Sequence, residues 1–250
     1  MSAAAILASV SAHAATVQPI SYSMLQGGER SGFTADRTYR DDTYSGVNTD
    51  VTTGANLDID DNGYLSGGLG QLTDGIIATQ NARVYNEGAP DTYPELDLYV
   101  GWRLVQMGEL YGTGTRPTIT WEFDQAYEFN SVSFYFSRSD VEHSAGVRAP
   151  SRIAINDDIN WVDPVYRPYS AAFPGSGTEL QGDPFKYTLD LSSYGPMSTF
   201  DTTFFHSGSW IFLSEVTFDA ATPVPLPASA LLLGAGLGGL GLLRRRRKKA

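Results

Sequence analysis

Residues 118–137 read TITWEFDQAYEFNSVSFYFS. In its first six residues Ile119, Trp121 and Phe123 share one face of an extended chain. In its last seven Val132, Phe134 and Phe136 lie on one side and Tyr135 on the other. Period-two alternation of this kind marks half-buried strands. Asp124 to Asn130 between them reads as a hairpin-like connection. Further short apolar runs follow at 152–155 (RIAI), 186–191 (KYTLDL), 202–206 (TTFFH) and 210–218 (WIFLSEVTF). No amphipathic helix of ordinary length precedes residue 223, and no repeat of 20 to 50 residues appears. An apolar content of 42% supports a real core, and 12% aromatics with 26 glycines suit a loop-rich all-β chain. The expectation is a jelly-roll β-sandwich. Residues 16–70 are rich in Ser, Thr, Gly and Asp with weak strand signals, and whether they join the sandwich or decorate it stays open.

Four pieces in order carry a resemblance over residues 71–219: Leu72-Thr73-Asp74-Gly75, Trp121-Glu122-Phe123-Asp124, Val132-Ser133-Phe134-Tyr135, and Trp210 leading to Ser214-Glu215-Val216. Together they resemble the galactose-binding-like (discoidin, F5/8 type C) jelly roll. That resemblance implies a structural Ca²⁺ between the early Asp-Gly turn and the late Ser-Glu pair. Asp74 and Thr79 would then give side-chain oxygens and Glu215 a carboxylate, with Gln71, Ile76 and Ser214 giving carbonyls. Such a mixture is what a hard cation wants, at 2.3–2.6 Å per bond, so the Asp74 and Glu215 carboxyls must lie within about 8 Å. The plainer alternative is that Asp74 caps its own turn and Glu215 is surface. Asp58, Asp60, Asn62 and Gly63 also have EF-hand-like spacing, but Leu69 stands where the bidentate Glu is needed, so a polar turn is expected.

A sugar site on this fold would use aromatic faces and hydroxyl-binding polar groups on end loops. Arg138, His143 and Arg148 in one loop, with Trp161 and Tyr166 in the next, are the candidates. Against that, Trp161 falls where the family places a packing tryptophan, and the arginines have acids nearby.

The chain has 17 basic and 28 acidic residues. Six of the bases form the run Arg244–Lys249, so the rest carries 17 − 6 = 11 against 28, a net −17, with Lys186 its one lysine. That excludes a basic footprint for nucleic acid. With no cysteine there are no disulfides, thiolate metal sites or cysteine nucleophiles. Only His143 and His206 remain beyond the leader, and Pro174-Gly175-Ser176-Gly177 lacks the first glycine of a nucleophile elbow, so an enzyme is not expected.

The ends read as addresses. Ala3–Val10 is a short apolar segment before Ala12-His13-Ala14, a signal peptide over 1–14 without a basic start. Residues 15–222 are then the exported domain. The tail, 223–250, holds Val224-Pro225-Leu226-Pro227-Ala228-Ser229, a glycine-punctuated apolar stretch to Leu243, and the stop residues Arg244, Arg245, Arg246 and Arg247. A transmembrane helix that short barely spans a bilayer, and the basic run should stay cytoplasmic. The three elements resemble the PEP-CTERM sorting signal of Gram-negative bacteria, with Pro-Leu-Pro in place of Pro-Glu-Pro. The resemblance implies export, an inner-membrane intermediate, cleavage by an exosortase, and delivery to the cell surface or matrix. The expected function is non-catalytic and exopolysaccharide-associated in a biofilm. A structural Ca²⁺-binding surface protein without a sugar site is the alternative, and an extracellular glycan hydrolase the third.

Overall fold

Period-two patterning becomes a two-layered β structure whose layers share one strand. The computed structural model describes residues 14–28, 39–59, 61–82, 95–104, 107–108, 114–137, 147, 149–156, 158–162, 185–206 and 208–221. Its strands are β1 (Ala14–Val17), β2 (Ser21–Leu25), β3 (Val47–Thr49), β4 (Asn56–Leu57), β5 (Tyr64–Gly68), β6 (Val100–Arg103), β7 (Thr118–Phe136), β8 (Arg152–Ile155), β9 (Asp158–Val162), β10 (Phe185–Asp190), β11 (Pro196–Phe205) and β12 (Trp210–Ala221). The body forms one unit over Thr16–Ala220; Met1–Ala15 and Ala221–Ala250 group as a second, nearly all of it outside the described residues.

The first half of β7 lies between β2 and β11 in a sheet ordered β4-β3-β5-β2-β7-β11-β8-β9. Its second half lies between β10 and β12, and β12 also pairs β6. The expected hairpin at Asp124–Asn130 is therefore corrected: those residues continue one 19-residue strand that crosses from sheet to sheet. The segment holds neither Gly nor Pro, and its own Tyr127 and Phe129 keep the strand pattern. What breaks the phase is a β-bulge. Phe129 opposes Ala220 and Ser131 opposes Asp219, leaving Asn130 unpaired on β12. One extra residue exchanges the two faces. Hence Phe123 and Phe129 at odd positions and Val132, Phe134 and Phe136 at even ones all face inward.

The core is aromatic and spans both layers. Phe218 meets Trp121 edge-on at 5.0 Å and Phe123 at 5.2 Å, and Phe204 meets Phe134 at 5.4 Å. Such pairs add about 0.5–1.5 kcal/mol each beyond area burial. The buried Trp121 indole N–H finds Thr202 Oγ1 at 3.0 Å.

Residues 16–70 belong to the sandwich: Tyr22, Met24 and Leu65 are fully buried in the same core. Among the described residues, which leave out Asp60, the 58–63 stretch is a polar turn. Asn48 Nδ2 donates to the Asp58 and Asp61 carbonyls, Gln26 Nε2 donates to that of Ile59, and Arg40 donates to Asn62 Oδ1.

A second, smaller cluster packs Tyr39, Ala78, Ala82, Leu96, Tyr99, Val147, Trp210 and Phe212. Gly101 allows it to form. A Cβ there would come within 2.0 Å of the Phe212 ring, while its amide donates to the Tyr39 carbonyl at 2.8 Å. No described helix is long and apolar enough to cross a membrane, and the tail at 223–250 lies outside the described residues.

Candidate functional site

Alternation along β12 breaks at Ser214. Leu213 opposes Phe136 and Glu215 opposes Tyr135, so Ser214 is a bulge. Ile211 and Leu213 point into the main core before it, Val216 and Phe218 after it. Ser214 Oγ donates to the Tyr135 carbonyl at 3.2 Å. The shift turns Glu215 out of the main core toward the turn at Asp74.

Glu215 is nevertheless fully buried. Its Oε2 accepts the Gly75 N–H at 3.1 Å, and the Asp74 carboxyl lies within hydrogen-bond reach of it. Gly75 holds φ +82, the left-handed region, which delivers its amide there without a Cβ penalty. Asp74 Oδ1 accepts the Ile76 N–H at 2.7 Å, so the turn-capping role and proximity to Glu215 coexist. Burial pushes the Glu215 carboxyl up to about 8; the Gly75 amide pulls down, and the neighbouring Asp74 charge pushes further up. Glu215 Oε1 and Gln71 Oε1 are buried without a hydrogen-bond partner. Buried oxygens of this kind are costly as they stand, and they suit a hard cation. Among the described residues no three His, Asp or Glu side chains gather, so carbonyls would complete any shell.

Other residues brace this turn. Asp41 is fully buried, accepts hydrogen bonds from the Tyr22 hydroxyl and, at 2.9 Å, from the Gln71 N–H, and so anchors the 3-10 turn Gln71–Thr73. Burial raises its pKa. Gln71 Nε2 donates to the Asp97 carbonyl. Thr79 stands apart from Glu215 in its bonding: its hydroxyl donates to Glu95 Oε1 at 2.7 Å, and Glu95 Oε2 accepts the Thr79 and Gln80 amides. Ala82 N–H donates to Ser137 Oγ at 2.9 Å, tying the loop to the end of β7. Ile76 and Ile77 are exposed at its tip.

Residues 19–220 match the family described as Discoidin domain-containing receptor 1/2, DS-like domain. The chain belongs to this DS-like family. The match begins 52 residues before Gln71, so it extends the expected region of likeness across β2 to β5. Among solved structures, a DS-like chain of this sequence aligns with CpGH89CBM32-6 of Clostridium perfringens at 13% identity and TM-score 0.26, covering 59% of this chain and 81% of that one. It also aligns with the serum fucolectin of striped bass, Morone saxatilis, at 8% identity and TM-score 0.28, covering 84% and 80%. Superpositions this loose transfer no residue roles. No curated protein matches the sequence.

In this DS-like domain, then, the Asp74–Gly75 turn and Glu215 come together from positions about 140 apart, Gln71 lies in the 3-10 turn leading into Asp74, and Thr79 is taken by Glu95. Asp41 and Glu95, which sequence reasoning missed, carry no motif; their partners are 30 and 16 residues away. Arg138, His143, Arg148 and Tyr166 lie outside the described residues, as do Val224–Ser229 and Arg244–Arg247; Trp161 is described only as a backbone position in β9. His206 is half-buried against the Trp102 carbonyl at 3.1 Å, and burial lowers its pKa, which is the setting of a packed histidine.

Proposed function

We propose that this protein is a non-catalytic, exported binding module that associates with polysaccharide at the cell surface or in the extracellular matrix. The observation that carries the reading is the DS-like match across 19–220, which takes in every described strand but the first and leaves β12 one residue short. A structural Ca²⁺ fits the residues present: Asp74 and Glu215 supply adjacent carboxyls, Gln71 supplies its buried side-chain oxygen, and Ser214 and Ile76 have carbonyls in the same turn and bulge. When bound, the ion would neutralise a buried carboxylate and stiffen the loop. The tail supports a second proposal, that an exosortase cleaves near Pro225-Leu226-Pro227 after Arg244–Arg247 stop transfer at the inner membrane.

A purely structural, calcium-holding surface protein is the competing reading, favoured by a Glu215 that is fully buried beneath an exposed Asp74. A hydrolase needs two acids about 5–9 Å apart with room for substrate, whereas Asp74 and Glu215 lie within hydrogen-bond reach. A glycan array probed with the purified protein, with and without calcium, decides. Binding to at least one polysaccharide family is expected; silence on every glycan leaves the structural reading. Intact-mass spectrometry of the native protein should find a C-terminus near Pro227, and a retained Arg244–Arg247 run would overturn the sorting proposal.

A further inference from the structure

Asn62 and Gly63 form an Asn-Gly pair in the bend between β4 and β5, outside either strand. The fold leaves no alternative to glycine at 63. A Cβ there would come within 2.2 Å of Asn48 Oδ1 and 2.7 Å of the Thr49 carbonyl oxygen. Asn62 is half-exposed, so water reaches it. Arg40 is buried, and its guanidinium donates to Asn62 Oδ1 at 3.2 Å. That donor keeps its charge at any ordinary pH.

An asparagine before a glycine can be attacked by the next backbone nitrogen, because glycine has no Cβ to hinder the approach. In that step the bond between the Gly63 nitrogen and Asn62 Cγ forms and the Cγ–Nδ2 bond breaks. The Gly63 amide proton passes through solvent to the leaving nitrogen, which departs as ammonia. A five-membered succinimide remains. Negative charge gathers on Oδ1 as the tetrahedral intermediate forms, and a charged donor already held on that oxygen stabilises it as an oxyanion hole does.

Water, the one co-reactant, then opens the ring in one of two ways. Addition at Cγ breaks the new Cγ–N bond and returns a normal backbone with aspartate. Addition at the backbone carbonyl carbon breaks the peptide C–N bond and leaves isoaspartate, whose main chain is one carbon longer. Arg40 polarises the Cγ side. Packing points the same way. The Gly63 carbonyl accepts the Gln26 N–H at 2.9 Å, and the contacts that forbid a Cβ at Gly63 leave no room for a longer main chain. We propose that Asn62 is a self-modifying site, which the Arg40 guanidinium steers through a succinimide to aspartate on an unlengthened backbone. The product carboxylate stays on Arg40 and turns a hydrogen bond to a neutral amide into one between opposite charges.

The test ages the purified full chain in mildly alkaline buffer, folded and in urea. Peptide mapping reads the fraction of position 62 that has exchanged amide for acid, and enzymatic methylation reads how much of the product is isoaspartate. The folded chain should convert and give mainly aspartate; the chain in urea should give mainly isoaspartate. R40Q should slow conversion of the folded chain about tenfold, on the scale of one charge-assisted hydrogen bond. It should also return the product ratio toward that seen in urea. N62Q should not convert, and N62D should have a urea midpoint no lower than that of the native chain. A folded chain that stays unconverted while the chain in urea reacts would overturn the proposal. So would conversion in R40Q as fast as in the native chain, or isoaspartate as the main folded product. Circular dichroism checks that R40Q is folded; if it is not, R40K and the folded-against-urea product ratio decide.

Discussion

Glu215 is the residue on which stability and ligand binding most directly meet. Its carboxyl is raised to about 8 in the folded protein, chiefly by burial, against a usual value of 4.5. The folded state therefore keeps a proton that the unfolded chain gives up. Below about 4.5 the group makes no difference; as pH rises toward about 8 the metal-free protein progressively loses stability, and above that the loss is complete. Urea unfolding in chelator across this range should show the decline. E215Q, which cannot ionise, should flatten it and stabilise the chelated protein at pH 8 by on the order of 2 kcal/mol. The same variant should lose the rise in Tm that calcium gives the native protein. A wild-type Tm indifferent to calcium would remove the ion from the account. The nearness of Asp74 to Glu215 was suggested only by the family resemblance that the Asp-Gly turn and the Ser-Glu pair carry, not by composition or periodicity. The bracing by Asp41 and Glu95 was not, because an isolated carboxylate in a Ser- and Asp-rich segment looks like every other one until the fold buries it.

At the scale of elements, the inward residues of β7 were legible from alternation, but the bulges at Asn130 and Ser214 were not. A bulge is a mismatch between two strands, and neither position carries a Gly or Pro to mark it. The hairpin expectation failed for that reason: a phase change in one strand has the same local pattern as two strands with a turn. Gly101 gives a sharper test of element packing. G101A would drive a methyl group into the Phe212 ring and toward Tyr39, where the nearest ring atom is 2.0 Å away. Overpacking against a ring and a backbone crossing should cost about 2 kcal/mol, seen as a lower urea midpoint at unchanged m-value. Near-native stability in G101A would mean that the second cluster yields easily.

At the scale of the whole molecule, both layers are built on the same strand and share the same ring cluster. F218A should therefore weaken the two layers together, by about 3–5 kcal/mol, since Phe218 of one layer touches Trp121, Phe123 and Phe200 of the other. Unfolding followed by tryptophan fluorescence and by far-ultraviolet circular dichroism should give one coincident transition. Separated transitions would show that the layers unfold independently.

The crossing of β7 also sets how the molecule bears load. A chain held at its C-terminal side is pulled through β12, which lies antiparallel to β7 along its second half from Leu213 to Ala220. Tension along β12 strains that row of hydrogen bonds in shear, all at once, rather than unzipping them one after another from an end. Because β7 continues into the other layer between β2 and β11, the force is passed on to a second row of bonds before any strand can slide. A protein tethered in flowing water would thus resist drag through both halves of its body together.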